Sequence, residues 1–407
     1  MNLSRRSFFE LALLSGLSRK LLRSSPAVAK SRVRILSTEK RSVDPWIVVS
    51  RDALLHNTQQ VSRLAGGRPI LAVVKNNAYG LGLGTASGIL ADFAEIGGFA
   101  DVKASSCLKL RENGVSKPVL LMGLTPDELG AELIRHDIQL SAYTPGAVER
   151  LTPLARKAGK PASVHFYLDT GMGRMGMPFR KALPWMKTVA SSPLISVEGT
   201  FMAFTEDQEF DLVQLERFKD LVGRANADRV PTGRIHAASS NGVFHLPEAH
   251  FDMVRPGIAL YGAYPSRPDE ERGIATLIPA FSLKTSVVRV ARLQKGDGVS
   301  YGRYYVAEKP TWIATLSIGH ADGYSRRAVD GAEVLIGDQL YPVIGAVSAS
   351  HTIVELGDEK TVDVGDTASL IGPEHPAIHP NNFADTVGIS VYDVLMHMNP
   401  DLERVVV

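Results

Sequence analysis

Residues 70–82 read ILAVVKNNAYGLG, an apolar run that ends abruptly at Lys75. A β-branched run of this length is typical of a buried strand in a parallel sheet, and the asparagines and glycines after it predict a tight loop. A lysine at the carboxyl end of such a strand is partly desolvated, which lowers its pKa and leaves a nucleophilic amine. Such an amine can attach to an aldehyde cofactor. Taken alone, a lysine in this position is more often one that reaches from the strand end out to solvent.

Strand-like runs recur along the next two hundred residues, and helical patterns separate most of them. The strands are predicted at 70–74, 97–102, 118–122, 138–142, 163–168, 195–200, 234–237 and 257–260. The helices are predicted at 103–113, 145–158, 179–190 and 210–226, with an earlier one that begins after a capping Ser50. Eight strands alternating with helices predict a TIM-like (β/α)8 barrel. An open doubly wound sheet would have fewer strands and a Gly-rich dinucleotide turn, and we find neither.

The pattern changes near residue 276, where short Val/Ile-rich runs are separated by turns such as Gly-Asp and Lys-Gly. These runs, at 283–292, 311–318, 332–336, 340–347, 351–356 and 367–371, predict a smaller antiparallel β domain. Residues 33–37 are expected to add a strand to it. We therefore divide the chain into a leader at 1–29, a barrel at 30–275 and a β domain at 276–407.

Composition narrows the function classes. The 407 residues are 44% hydrophobic, which is enough for one large core or two, and the net charge of +2 argues against a nucleic-acid partner. The single cysteine, Cys107, excludes an internal disulfide and has no partner at metal-ligand spacing. No stretch approaches the ~18 apolar residues of a membrane span.

The first 29 residues have the composition of a targeting segment. Arg5 and Arg6 precede Phe8-Phe9, a short apolar stretch follows at 11–17, and Pro26-Ala27-Val28-Ala29 resembles a cleavage site. This arrangement is similar to a twin-arginine export signal, which predicts a periplasmic protein that is exported already folded. Glu10 fits that pattern poorly. An organelle transit peptide, or a basic surface helix on a cytoplasmic protein, is the alternative.

The ends of the predicted strands carry reactive side chains. Lys75 and Tyr79 follow the first strand, and the fifth strand leads into the glycine-rich loop 169–176, which presents Arg174. In a barrel of this type the active site lies at the carboxyl ends of the strands, so these loops are expected to converge.

The last two strands are flanked by a candidate phosphate site. The loop 236–242, HAASSNG, follows the seventh strand, and 251–258, FDMVRPGI, leads into the eighth. Loops in these positions are the usual phosphate seat of the barrel. The Ser240 hydroxyl and the amides of Gly257 and Ile258 are therefore candidate phosphate donors.

Four segments together resemble the alanine racemase family, the fold-type III enzymes that use pyridoxal 5′-phosphate (PLP). They are VVKNNAYG at 73–80, FDMVRPGIALYG at 251–262, GVSYGR at 298–303 and GHADGY at 319–324. The resemblance extends from about residue 44 to about residue 396.

The resemblance implies the catalytic groups. Lys75 would hold PLP and act as the base on one face of the substrate Cα. Tyr301 would be the opposite base, contributed by the β domain of a partner subunit, so the active form would be a homodimer. Arg255, with His236 as its partner, would face the pyridine nitrogen. A guanidinium does not give up its proton, so that nitrogen stays unprotonated and the cofactor is a weaker electron sink.

The resemblance also implies the binding groups. Tyr79, Ser240 and Tyr392 would bind the phosphate, and Arg174 would lie beside the cofactor phenol oxygen and Tyr301.

Several positions depart from the family pattern. Ala203 stands where the family has a histidine against the cofactor ring, and Tyr167 where it often has a lysine that orients the arginine. On the substrate side Ala349 and Ser350 replace a Met-Asp pair, and His320 replaces a tyrosine. Smaller groups predict a wider pocket, because a hydrophobic pocket rejects extra methylenes only by its walls. Serine, lysine or arginine therefore join alanine as candidate substrates.

Two other functions are compatible with parts of the pattern. A fold-type III decarboxylase or aldolase would share the lysine, but Tyr301 in its GVSYGR setting argues against both. A protein that only binds PLP would not need the whole β domain. A protein that keeps the fold and the cofactor but turns over weakly is a further alternative.

Overall fold

The computed structural model describes residues 43–407. In chain order its strands are β1 Trp46–Val49, β2 Ile70–Val73, β3 Ile96–Asp101, β4 Val119–Leu121, β5 Ile138–Ala142, β6 Ala162–Asp169, β7 Met177–Pro178, β8 Ile195–Phe201, β9 Arg234–His236, β10 Phe281–Leu293, β11 Gly298–Val299, β12 Tyr305–Val306, β13 Thr311–Leu316, β14 Glu333–Ile336, β15 Gln339–Ile344, β16 Thr352–Gly357, β17 Thr367–Ile371 and β18 Glu403–Val406.

The α-helices cover the outside of the barrel and the C-terminal end of the chain. They are α1 Arg51–Leu64, α2 Leu83–Ala91, α3 Ala104–Glu112, α4 Asp127–Arg135, α5 Ala147–Ala158, α6 Phe179–Ala190, α7 Gln208–Ala227, α8 Ser240–His245, α9 Arg267–Glu271, α10 Pro380–Val387 and α11 Val391–Met396. Ser50 caps α1 as predicted, since its hydroxyl oxygen accepts the Ala53 N–H at 3.2 Å. None of the helices within residues 43–407 is both long and apolar enough to cross a membrane.

Seven strands form the parallel barrel wall in the order β2-β3-β4-β5-β6-β8-β9. Residues 252–256 close it. On one side the Leu71 N–H donates to the Val254 carbonyl at 2.8 Å, and on the other the Arg255 N–H donates to the Ala238 carbonyl at 2.8 Å. Helices alternate with these strands, which confirms the predicted TIM-like architecture.

The predicted position of the eighth strand was wrong. Residues 257–260 fall largely in a 3₁₀ turn, Ile258–Tyr261, and the closing segment lies directly before it. Pro256 has no N–H to give to a ladder, and Gly257 has φ −118° and ψ −89°, which is not extended. Residues 253–256 and 257–260 are all buried, and all but Arg255 are apolar, so hydrophobicity alone does not distinguish the two segments.

The C-terminal strands form an antiparallel sheet in the order β13-β16-β15-β14-β17-β10, and β13 also pairs with β10, so the sheet closes on itself. β1 joins this sheet, although it precedes the barrel in sequence: it pairs antiparallel with β10 and parallel with β18. The further strand predicted at 33–37 lies outside the described residues.

The C-terminal segment packs against the loop after β2. The Arg404 guanidinium donates to the Gly80 carbonyl at 2.9 Å, and Gly80 contacts the Leu395 carbonyl so closely that no Cβ would fit there. This packing brings Tyr392 of α11 to the carboxyl ends of the barrel strands, where its ring centre lies 6.4 Å from that of Tyr79.

Candidate active site

A cavity of about 510 Å³ lies at the carboxyl ends of the barrel strands. Its lining includes eight of the residues predicted from sequence, namely Lys75, Tyr79, Arg174, Ser240, Arg255, Gly257, Ile258 and Tyr392. These residues come from five separate segments of the chain, and the fold brings them together around one space.

An unusual backbone turn, part of which lines the cavity, follows directly after Lys75. Asn76, Asn77, Ala78 and Tyr79 all have positive φ, between 51° and 59°. This left-handed conformation costs an L-residue about 1–2 kcal/mol, and asparagine tolerates it better than alanine or tyrosine. Two hydrogen bonds hold the turn: the Ala78 N–H donates to the Val74 carbonyl at 2.9 Å, and the Leu83 N–H donates to Asn77 Oδ1 at 2.8 Å.

The turn places the amine and the phenol side by side. The Lys75 Nζ lies 5.9 Å from the centre of the Tyr79 ring. Burial lowers the pKa of Lys75, and the positive charge of Arg174 lowers it further, while Glu206 and Asp101 oppose the shift. Lys75 therefore lines the cavity and loses its proton more easily than an ordinary lysine. Attachment to an aldehyde requires such an amine.

A small polar cradle lines the same cavity as Lys75. The Ser240 hydroxyl oxygen accepts the N–H groups of Gly257, at 3.0 Å, and Ala259, at 3.2 Å. A side chain at Gly257 would overlap the Tyr79 hydroxyl and come within 2.7 Å of its Cζ. The Gly257 amide, predicted to donate directly to a phosphate, is thus already bonded to Ser240. Ile258 supplies the other predicted amide.

Arg255 lies in the barrel interior beside the cavity and is almost completely buried. Its Nη1 donates to the Nδ1 and the carbonyl of His236, both at 3.0 Å, and its Nη2 donates to the Met202 carbonyl at 2.8 Å. Burial lowers the pKa of Arg255 to about 10. The guanidinium stays charged at neutral pH, and its partners are neutral acceptors, so it can direct positive charge at a ligand.

The predicted partner His236 continues into a chain of hydrogen bonds. Its Nε2 lies 2.8 Å from Nδ1 of His165, whose Nε2 lies 3.1 Å from Oε1 of Gln139. Burial lowers the pKa of His165 to about 3 and that of His236 well below its usual value. Since Arg255 donates to His236, the neutral rings are ordered with each Nε2–H pointing away from Arg255.

Sequence reasoning missed His165. The signal was present, because residues two apart on a strand share a face, and His165 and Tyr167 therefore point to the same interior.

The departures at Tyr167 and Ala203 shape the wall near Arg174. The Tyr167 ring is buried and stacks on Phe201, with centres 4.3 Å apart, so it does not orient Arg174. Within residues 43–407 no side chain makes a hydrogen bond or ion pair with Arg174. Ala203 presents only a methyl group to the cavity.

Apart from Tyr392, the predicted residues of the β domain do not line this cavity within one chain. Tyr301 is 78% exposed, and Ala349, Ser350 and His320 are also exposed. Hydrogen bonds tie their loops together, for example from the Ala321 N–H to the Ala349 carbonyl at 3.0 Å. Their role toward a partner's cavity stays a prediction.

One further residue was missed. Glu206 lies on the cavity rim and has a left-handed backbone, with φ 68°. Nothing in the local sequence distinguishes it from its acidic neighbours Asp207 and Glu209, which do not line the cavity.

These residues fit pyridoxal phosphate. Ser240, with the hydroxyls of Tyr79 and Tyr392, can bind a phosphate, Lys75 can hold the aldehyde carbon, and Arg255 can face the ring nitrogen. A lysine at the end of a barrel strand, a phosphate cradle between the last two strands and a buried arginine define a PLP-dependent enzyme of the barrel type.

Comparison with known proteins gives the same answer. The family model of the alanine racemase N-terminal domain matches residues 49–265, and that of the C-terminal domain matches 280–406. The alanine racemase of Carboxydothermus hydrogenoformans is 35% identical over 373 residues, covering 89% of this chain and 99% of the relative. That of Clostridium novyi is 32% identical over 369 residues, covering 88% and 94%.

Solved structures agree. The alanine racemase of Clostridium difficile 630 superposes with a TM-score of 0.84 at 27% identity, covering 90% of this chain and 97% of the other. That of Bacillus anthracis with bound L-Ala-P gives 0.83 at 29% identity, covering 91% and 96%. The chain belongs to the alanine racemase family, which depends on PLP.

Proposed function

We propose that this protein racemises amino acids by moving the Cα proton between Lys75 and Tyr301 of a partner subunit. The observation that carries the proposal is the meeting of Lys75, the Ser240 cradle and Arg255 in one cavity. When bound, PLP supplies an electron sink that acidifies the Cα–H bond of an attached amino acid.

The residues of this chain then control where the proton goes. The lowered pKa of Lys75 favours the free amine, the form that can accept a proton on one face of Cα. Arg255 keeps its own proton and gives none to the ring nitrogen, which restrains side reactions such as transamination. Arg174 provides positive charge for the substrate carboxylate.

The second base has to come from outside the cavity of one chain. Burial raises the pKa of Tyr79 well above its usual value and also raises that of Tyr392. Both phenols are therefore poor proton acceptors at the protein's working pH. Tyr301 is 78% exposed on the β domain, near Tyr304, which is 82% exposed, and this exposure supports its entry into another copy. A homodimer with shared sites is part of the proposal.

The attachment of PLP to Lys75 and the racemase activity can be tested on the same protein. Borohydride reduction of PLP-saturated protein, followed by peptide mapping, should place a pyridoxyl group on Lys75. Incubation with a panel of L-amino acids in heavy water, followed by resolution of the enantiomers, should show D-product carrying deuterium. Saturated protein with no label at Lys75 would refute the proposal.

The role of Tyr301 can be separated from its neighbour's. Tyr301→Phe should keep the cofactor absorbance but lose about 100-fold or more in exchange from one enantiomer, as expected for removal of a general base. Tyr304→Phe, three residues on and equally exposed, is the matched control and should keep exchange from both. A protein that only binds PLP would show no exchange even as wild type, and a decarboxylase would lose the carboxylate.

The substrate range is proposed to include alanine, which would serve D-alanine supply, and longer amino acids. The small Ala203 and the neutral Ala349 and Ser350 support a wide pocket with altered charge on the substrate side. Racemisation of alanine alone by the panel above would overturn the wider range.

Export through a twin-arginine-like signal in residues 1–29 is proposed from Arg5, Arg6 and the segment at 26–29. These residues lie outside the described part of the chain. The mass of the mature protein tests the proposal, because cleavage would leave Lys30 as the first residue, whereas the full mass in the cytoplasm would overturn it.

A further inference from the structure

The charges that line the cavity are unevenly distributed. Lys75, Arg174 and Arg255 supply three cations, whereas Glu206 is the single carboxylate among the described lining residues. In the part of the chain that the structure covers, no cation forms an ion pair with Glu206. Lys75 and Arg174 act on it only over a longer range.

Glu206 is held in place by its backbone. Oδ1 of Asp211, in the first turn of α7, accepts the Glu206 N–H at 3.2 Å and also the N–H and hydroxyl of Thr205, at 3.0 and 2.9 Å. The carbonyl oxygen of the Gln214 side chain accepts the same Thr205 N–H at 2.9 Å. Asp211 and Gln214 are buried, so the rim segment is anchored to a rigid helix. The left-handed φ of Glu206 is stabilised by these contacts.

Glu206 lines the cavity although the residue is exposed overall. Burial raises the pKa of Glu206, and the charge of Asp211 raises it further, while Lys75 and Arg174 oppose the shift by favouring the ionised form. On the same loop Ala203 also lines the cavity, and its side chain is only a methyl group. An unpaired carboxylate in the cavity lining can bind a cation.

We propose that Glu206 determines substrate charge by favouring amino acids with a cationic side chain, such as lysine or arginine. This inference rests on the proposed racemase function. With the substrate amine at Lys75 and its carboxylate toward Arg174, a long side chain that passes Ala203 brings its charged end to Glu206. Acidic side chains are repelled there, and neutral ones gain nothing.

The test compares L-lysine with L-norleucine, which has nearly the same length but no terminal charge. In PLP-loaded wild type, kcat/KM should be higher for lysine. Glu206→Gln should lower the lysine-to-norleucine ratio about twofold to fivefold, the size expected for one partly solvated charge pair. Spectral titration of the cofactor absorbance should show the same change in the ratio of Kd values.

Glu209→Gln is the matched control, because it removes the same charge from an exposed residue three positions on that does not line the cavity. The lysine-to-norleucine ratio of kcat/KM in Glu209→Gln should equal that of wild type. An unchanged ratio in Glu206→Gln, or an equal fall in Glu209→Gln, would overturn the role of Glu206 while leaving the racemase function intact. Absence of racemisation with every amino acid would instead refute the proposed function.

Discussion

Replacing Gly257 by alanine should disturb the phosphate cradle directly. The new Cβ would overlap the Tyr79 hydroxyl and lie 2.7 Å from its Cζ. Since carbon atoms pack at about 3.5 Å or more, the ring or the backbone has to move by about 0.8 Å or more. Tyr79 is buried and stacked on Tyr261, with ring centres 4.8 Å apart, so the ring has little room.

The magnitude follows from these contacts. Overpacking a well-packed site costs about 1–3 kcal/mol. Shifting residue 257 also strains its 3.0 Å hydrogen bond to Ser240, which is worth about 1 kcal/mol. We expect Gly257→Ala to lower the free energy of unfolding by about 2–4 kcal/mol. Misplacing Ser240 and Tyr79 should weaken PLP binding at least about tenfold, which corresponds to about 1.4 kcal/mol.

Urea unfolding of the cofactor-free protein and absorbance titration with PLP measure the two effects. Gly223→Ala in α7 is the control, because a Cβ there meets nothing within 4 Å. That variant should bind PLP normally and gain up to about 1 kcal/mol from helix propensity. If Gly257→Ala unfolds and binds PLP like wild type, the cradle is not as tightly packed as the structure indicates.

Two further predictions concern the buried network behind the cavity. Arg255→Lys should lower the free energy of unfolding by about 2–4 kcal/mol, because an ammonium cannot replace the guanidinium's bonds to His236 and the Met202 carbonyl. A urea midpoint like that of wild type would contradict this. Between pH 6.5 and about 3, stability should fall as pH falls, because the unfolded chain takes up a proton at His165 that the buried, folded imidazole does not. His165→Gln should remove up to about 1.4 kcal/mol per pH unit of that slope in urea unfolding across pH 4–7. An unchanged slope would show that His165 is not held neutral.

Much of the fold could be predicted from local pattern. The strand predicted at 138–142 coincides with β5, and the run at 367–371 coincides with β17. Parallel strands buried on both faces are continuous apolar runs, and antiparallel strands are bounded by turn residues, so both leave a local signal. No local signal in the sequence separates the closing segment of the barrel from the 3₁₀ turn after it. Only its hydrogen bonds to β2 and to Ala238 do so.

The chemistry of the candidate site could largely be predicted, because a parallel barrel brings the carboxyl ends of its strands together on one face. Lys75, Ser240 and Arg255 each follow or form a strand end, so their meeting was predictable once the barrel was. The directions in which the side chains point could not be predicted from the sequence. Stacking on Phe201 takes Tyr167 away from Arg174, and contacts with α7 bring Glu206, rather than its acidic neighbours, to the rim.

The amino-acid sequence by itself therefore determined the architecture and the reactive amine of this protein. Both depend on the hydrophobicity and backbone preferences of short segments. The tertiary structure alone decided the left-handed turn at 76–79, the neutral histidine chain behind Arg255 and the position of the rim carboxylate. The histidine chain joins residues far apart in sequence. The turn and the rim are held by side-chain hydrogen bonds of Asn77 and Asp211. No local pattern records the direction or the desolvation of these side chains.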